Sequence, residues 1–503
     1  MVEAWRGLVL VACFAAAACG AEDAAGTCSL SPEQKRLLWE QPNRHLQKLG
    51  KISDDPNVLI RTFMSVAHRS AAATLDDWME DAGMIAWTDE VGNVHGRLES
   101  PNPEAKTILI GSHYDTVMDA GKYDGALGII TGIAAVKTIF RELEMSSEGL
   151  SALKHHIEVV AFSDEEGLRF SSTFLGSRAI AGTLVKHGML KSTDKEGKSI
   201  ADVIAAMGSD ASEENIMKIA MSSESVLGYV EVHMEQGPQL EALGIPLGVV
   251  SAIAGQTRLR VNVLGTQGHA GTVPMNHRLD PLAAAAEAIH FVETRCIPGG
   301  GGAGSGAGSA AAGPAAGPEG YGREWTAEHD ARVHRDFGPE DMLVCTVGEA
   351  NIWPGASNVI AGSANFTVDI RSRLDKVRFS AVDDIVASVR KICDRRGVTC
   401  EILRTHDAEA IHCDDTLAGE LLEAAREVTA GRIGEGGLPL PQAPMMVSGA
   451  GHDALAMADA FPVAMMFVRC RGGLSHTPLE FVSEEDVGDT AHALYRFLQK
   501  AAL

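Results

Sequence analysis

Four short apolar runs in this chain each lead into residues that can bind a metal or move a proton, and no other feature of the sequence constrains its fold as tightly. Thr107 to Ile110 ends in Gly111-Ser112-His113, with Asp115 and then Asp124-Gly125 close behind. Ile157 to Phe162 ends in Ser163-Asp164-Glu165-Glu166-Gly167. Tyr229 to Val232 runs into His233-Met234-Glu235-Gln236-Gly237-Pro238, and Val463 to Val468 precedes His476. Such runs, alternating with helix-like stretches such as Gly125 to Phe140, predict buried strands of a mainly parallel sheet. In such a sheet the functional loops gather beyond the carboxyl ends of the strands, so the polar clusters converge although the chain separates them widely.

The residue types then set the chemistry. His113 and Asp115 stand two apart, so one can ligate a metal while the other orients the imidazole from behind. Asp124 sits at an Asp-Gly turn, where a carboxylate can bridge two cations. Glu165 and Glu166 are adjacent and point different ways, so one can bind metal while its neighbour faces the reacting water. Each fragment alone is ordinary: His-x-Asp caps, Asp-Gly turns, acidic pairs are solvated, and lone histidines are mostly structural. Together, His113, Asp124, Glu166, His233 and His476 form a ligand set of the kind a two-metal hydrolase needs.

At 503 residues the chain is too long for one ordinary core, and two domains are expected. A second unit starts near Ser251, with strand Thr257 to Val263, helix Asp280 to Thr294, strand Leu343 to Ile352, strand Ala364 to Ile370, helix Arg378 to Arg395 and strand Thr399 to Arg404. This β-α-β-β-α-β order predicts a ferredoxin-like lid or dimerisation domain over residues 251–408, inserted into a catalytic domain made of 30–250 and 409–503. The Gly/Ala/Pro-rich stretch from Pro298 to Asp336 lacks apolar periodicity and is expected to be a flexible loop. Residues 57–83 are expected to be helical.

Forty-three Lys and Arg against 67 Asp and Glu leave a net charge of -24, which repels nucleic acid and anionic membranes. Arg6, the apolar Gly7 to Ala18 and the small residues around Ala16 to Gly20 read as a cleavable signal peptide over residues 1–20. The expectation is a protein of the secretory pathway, in the endoplasmic reticulum lumen or exported, without a membrane span after cleavage. The cysteines show no Cys-x-x-Cys spacing; Cys393 and Cys400 flank a helix-to-strand turn where they can pair or remain buried thiols. The sequon at Asn365 falls inside a predicted strand, a poor setting for glycosylation.

Gly111-Ser112-His113-Tyr114-Asp115-Thr116-Val117, Lys122-Tyr123-Asp124-Gly125, Phe162-Ser163-Asp164-Glu165-Glu166-Gly167 and Glu235-Gln236-Gly237-Pro238 resemble the M20 metallopeptidase-related amidohydrolases through nearly the whole mature chain. Asp119 to Gly125, Phe174-Leu175-Gly176-Ser177 and Val468 to Gly473 are most similar to the plant and algal allantoate amidohydrolase branch. The resemblance implies that His113 and His233 hold one metal, Glu166 and His476 the other, and that Asp124 bridges. It implies that Asp115 orients His113, that Glu165 is general base and acid, and that the metal is manganese; the donors admit zinc as well. A metal-bridging hydroxide is expected to attack a ureido carbonyl of the substrate, with His269 steadying the oxyanion.

The same resemblance assigns substrate contacts to Gln236, His269, Asn358 and Arg371 and to the backbone at Gly449 and Ala450, some reaching the site from the partner in a homodimer. Arg371 suits a carboxylate, though a surface salt bridge is the plainer reading of it. N-carbamoyl-L-amino-acid hydrolases and ureidoglycolate amidohydrolases share the framework and remain alternatives. A metal-free binding protein on a peptidase-like fold is a further one, and it predicts lost ligands where here all five positions are filled.

Overall fold

The computed structural model describes residues 30–297, 342–430, 432 and 439–503, and the chain divides into two compact units. The expected signal peptide and the Gly/Ala-rich loop lie outside the described residues. The first unit holds the described residues up to Ser251 with Cys413–Met446 and Ala450–Leu503; the second holds Ala252–His412 with Val447–Gly449. The boundaries fall within a few residues of those read from the pattern. The short return Val447–Gly449 was not foreseen.

In the first unit, strands β1 (Ile85–Thr88), β2 (Val94–Leu98), β3 (Thr107–His113), β4 (His156–Phe162), β5 (Val226–Met234) and β6 (Leu247–Ile253) lie in one sheet with the strand Val463–Val468, here β14. The order is β1-β2-β4-β3-β5-β14-β6. β4, β3, β5 and β14 are mutually parallel and form its centre, while β1, β2 and β6 run antiparallel at the flanks. β3 and β4 are buried at every residue, the mark of strands covered on both faces. Two expectations need correction. Residues 57–65 are not helical, and the helix α1 starts at Val66, where Ser65 caps it by accepting from the His68 N–H, and ends at Asp81. β3 runs on to His113 itself, because Gly111, Ser112 and His113 pair with Val160, Ala161 and Phe162.

The register places the chemistry. His113 lies opposite Phe162, the last residue of β4, and His233 lies opposite Phe467 near the end of β14. Parallel strands in this register deliver their final residues to the same level of the sheet. The long helix α2 (Ala126–Met145), buried along most of its length, follows Gly125. That glycine has φ +67°, and a Cβ there would stand 2.4 Å from the His113 carbonyl oxygen, so only glycine allows the chain to turn beneath the histidine.

The second unit has strands β7 (Gly255–Leu264), β8 (Gly268–His269), β9 (Leu343–Thr346), β10 (Ala350–Trp353), β11 (Val359–Ile360), β12 (Ser363–Ser372) and β13 (Thr399–Ala408). Its antiparallel sheet has the order β10-β12-β7-β13, with β9 also on β12, so the single strand expected over Leu343–Ile352 is two. Along β12 burial alternates residue by residue, and its buried set, Ala364, Phe366, Val368 and Ile370, packs with Ala284, Ala288, Ile385 and Val389 from helices α3 (Pro281–Cys296) and α4 (Asp375–Arg396). Disulfides join Cys393 to Cys400 and Cys296 to Cys345; Cys413 and Cys470 are buried thiols. Asn365 lies in β12 between β10 and β7. No helix among the described residues is long and apolar enough to cross a membrane.

Candidate metal centre

Three overlapping groups of donor atoms converge at the strand ends of the first unit: His113, Asp124 and His233; His113, Glu165 and Glu166; and Asp124, Glu166 and His476. Asp124 is common to the first and third. Its Oδ1 lies 3.0 Å from His233 Nε2 and 3.6 Å from His113 Nε2, while its Oδ2 lies 3.4 Å from His476 Nε2. Glu166 Oε1 is 3.3 Å from the same His476 nitrogen. One carboxylate therefore faces a pair of imidazoles with one oxygen and an imidazole-carboxylate pair with the other, the arrangement needed to bridge two cations. Asp124 Oδ1 is buried without a hydrogen bond, so its lone pairs are left for a Lewis acid. The donors are mixed imidazole nitrogen and carboxylate oxygen, which suits zinc or manganese and disfavours soft thiophilic ions.

A second layer of contacts fixes these donors. His233 Nδ1 is 2.9 Å from the Met234 carbonyl oxygen, and His113 Nδ1 is 3.2 Å from the Asp115 carbonyl and 3.4 Å from its carboxylate. With Nδ1 donating backwards, Nε2 of both rings is the ligand nitrogen. The Asp115 carboxylate also accepts from the backbone N–H groups of Glu165 and Glu166, at 3.0 and 3.1 Å, which ties the loop after β4 to the loop after β3. Glu480 was not foreseen: its Oε1 accepts from the N–H groups of Tyr123 and Asp124, at 2.8 and 3.0 Å, and holds the turn that carries Asp124. It belongs to no recognisable motif, so only the fold could reveal it. Likewise Glu231 and Asp453, both fully buried, accept from the Ala454 N–H and the Ser177 hydroxyl beneath the site.

Burial and charge pull against each other throughout. Burial opposes ionisation of Asp124, yet the adjacent imidazoles of His113 and His233 hold its carboxyl well below the usual range. Burial disfavours charge on His113 as well, but Asp115 and Asp124 raise it well above an ordinary histidine; His476 rises to about 9, chiefly through Glu166. Burial first, then the neighbouring Glu166, drive Glu165 well above the carboxylate range. A pocket that raises both its imidazoles and its spare carboxyl carries surplus negative charge, which divalent cations would neutralise.

Gln236, at φ +56°, donates its amide to Asp124 Oδ2 at 2.9 Å and so belongs to the metal-ligand cluster. Ala450 is also in the first unit. His269, Asn358, Arg371 and Gly449 are in the second. There β8 pairs with β11 so that His269 faces Val359, and the carbonyl of Asn358 accepts from the Ala270 N–H. His269 Nδ1 accepts from the Gly271 N–H, at 3.1 Å, leaving Nε2 as its outward nitrogen. Arg371 is engaged: it donates to both oxygens of Asp369 and to the Gly449 carbonyl at 2.8 Å. The salt bridge weighed for Arg371 is thus present, and the Gly449 carbonyl is a further acceptor for it.

The sequence model of peptidase family M20/M25/M40 matches residues 109–500. An allantoate deiminase of Arabidopsis thaliana is 46% identical over 463 residues, covering 92% of this chain and 82% of that protein. An N-carbamoyl-L-amino-acid amidohydrolase of Pseudomonas sp. (strain NS671) is 33% identical over 94% of this chain and 99% of its own. Among solved structures, AtUAH in complex with glyoxylate aligns with a TM-score of 0.67 at 27% identity, covering 91% of this chain and 96% of that one.

Proposed function

Because the chain belongs to peptidase family M20/M25/M40, we propose that it is a metal-dependent amidohydrolase converting allantoate and water to ureidoglycine, ammonia and carbon dioxide in ureide catabolism. The observation that carries the hydrolytic reading is Asp124, whose two oxygens face separate donor sets, while Glu165 joins His113 and Glu166 in an adjoining group. The choice of allantoate rests on the 46% identity to the Arabidopsis allantoate deiminase.

His113, His233 and Asp124 would hold one divalent ion, and Glu166, His476 and Asp124 the other, with manganese the ion we favour. Bound there, the ions would supply Lewis acidity and lower the pKa of water. Asp115 fixes the His113 ring and, through two backbone N–H groups, the loop bearing Glu165 and Glu166. Glu165 takes the proton of the attacking water and returns it to the departing nitrogen, acting as general base and then general acid. Gln236, His269, Asn358, Arg371, Gly449 and Ala450 are assigned to the ureido and carboxylate groups of the substrate, in a homodimer. The protein is assigned to the secretory pathway, with the endoplasmic reticulum lumen its site of action.

The test is ammonia release by purified, manganese-loaded protein offered allantoate, ureidoglycolate and N-carbamoyl amino acids side by side. Allantoate is expected to be turned over fastest, and Glu165→Gln to lower its kcat by about a hundredfold or more. Inactivity on allantoate with turnover of an N-carbamoyl amino acid would replace the substrate; the 33% identity to the Pseudomonas enzyme makes that the second reading. Near-normal turnover by Glu165→Gln would remove its assigned role.

A further inference from the structure

The first unit carries a second concentration of charge that shares no residue with the metal-ligand cluster. On the helix Gln41–Leu49, Arg44, His45 and Lys48 follow one another at helical spacing and line a cavity of about 430 Å³. Arg36, Lys137 and Arg141 line it too, against only Glu33 and Asp81. In a chain with 43 basic and 67 acidic side chains, five cations here meet two carboxylates. Composition alone makes the reverse the expectation.

The ion pairs leave part of this charge uncompensated. Arg36 pairs with Glu33, Lys137 with Asp81, and Arg141 with Glu144 outside the cavity. Among the described residues the side chains of Arg44 and Lys48 have no hydrogen-bond or ion-pair partner. They stand four residues apart on one helix, where like charges cost stability. Lys137 is buried, its side chain 7% exposed, so that charge is fixed in place and poorly screened. His45 is stacked on Trp78 with centroids 3.9 Å apart, and burial first, then Lys48 and Lys137, push it down to about 4.

We propose that this cavity binds a small multivalent oxyanion, one carrying two or more phosphoryl groups, with Arg44 and Lys48 as its principal contacts and the buried Lys137 as a third. The volume lies within the range of small-molecule sites. A single carboxylate would meet only one of the two unpaired cations, whereas a chain of phosphoryl groups can span both Arg44 and Lys48 and reach Lys137 as well. Such a ligand would also remove the Arg44–Lys48 repulsion that the helix otherwise bears.

The experiment is calorimetric titration of the metal-loaded protein with inorganic tripolyphosphate, and with orthophosphate for comparison, at about 0.15 M salt. Tripolyphosphate is expected to bind saturably at one site, and orthophosphate about tenfold more weakly or worse. Arg44→Glu with Lys48→Glu should weaken tripolyphosphate at least about tenfold, since two exposed charges are reversed. Both positions are exposed, and an unchanged thermal transition would show that the double variant folds. Tripolyphosphate also chelates metals, so Asp124→Ala is the control: it should leave binding intact. Binding lost in Asp124→Ala and kept in the double variant would place the anion on the metals and overturn the proposal. Absence of saturable binding would overturn it equally.

Discussion

Replacing Asp115 with asparagine removes one charge and converts one acceptor oxygen into a donor while keeping the shape. In the native protein Oδ1 accepts from the Glu165 N–H at 3.0 Å and lies 3.4 Å from His113 Nδ1, and Oδ2 accepts from the Glu166 N–H at 3.1 Å. Either orientation of the amide turns its NH2 toward a backbone N–H. One buried donor is then stranded, at a cost of about 1–3 kcal/mol. Separately, a ligand imidazole that loses its carboxylate partner binds metal about 10- to 100-fold more weakly, or roughly 1.4–2.7 kcal/mol. Both effects act on the metal-ligand loops, so the expectation is a shift of that size in the free metal needed for half-maximal ammonia release, with a smaller loss of kcat at saturation. Titrating chelator-stripped protein with buffered metal reads it directly. Superimposable metal curves for Asp115→Asn and the native protein would refute this role for the carboxylate and leave the Asp115 carbonyl, 3.2 Å from His113 Nδ1, as the contact that orients the ring.

Glu480→Ala should strand the Tyr123 and Asp124 N–H groups, at about 1–3 kcal/mol each, and weaken metal binding, whereas Glu480→Gln, which keeps an acceptor oxygen, should restore most of it in the same titration. Stripping the metal should lower the thermal midpoint by roughly 5 °C, the equivalent of a ligand present at about 100 times its Kd, and calorimetry with and without chelator checks this. His95 is buried between Asp89 and Glu158; burial opposes its charge, but these two carboxylates raise it to about 9 from 6.5. Since the folded value exceeds the unfolded one, its contribution, roughly 3 kcal/mol at most, is complete below about pH 6.5 and fades as pH rises through about 9. Urea unfolding of His95→Gln and native protein should therefore differ most at pH 6 and least at pH 10.

The parts of this protein legible in the sequence are those where one physical demand dominates. β14 needs burial on both faces and therefore reads as an unbroken apolar run, Val463–Val468, whose ends the structure reproduces residue for residue. His113, Glu166 and His233 stand out as candidates because each follows such a run within four residues, and His476 less so, eight residues beyond Val468. The start of α1 was not legible, since residues 57–65 contain apolar residues that serve a different purpose: Leu59 bridges to Ala120 and the backbone N–H of Arg61 donates to Thr116. Nor was Glu480, because an acceptor for two backbone N–H groups needs only a carboxylate at the right point in space, and no spacing along the chain encodes that. The Cys296–Cys345 bridge escaped for the same reason, its cysteines being 49 residues apart.

The same contrast explains why the candidate site is locally uncomfortable. Asp164, Glu165 and Asp453 are buried with carboxyls driven up mainly by burial, and His476 and Gln236 hold left-handed backbone at φ +56°, which costs a residue other than glycine about 1 kcal/mol or more. A chain selected for stability alone would place apolar side chains at the former and glycine at the latter. What holds these residues against their preferences is the parallel sheet beneath them, in which β3 and β4 are buried throughout and β5 nearly so, and whose register sets His113 level with Phe162 and His233 with Phe467. The unfavourable electrostatics are thus confined to the ends of rigid strands and to the loops that lead from them into helices. A divalent ion bound there would relieve the charge without asking the sheet to move.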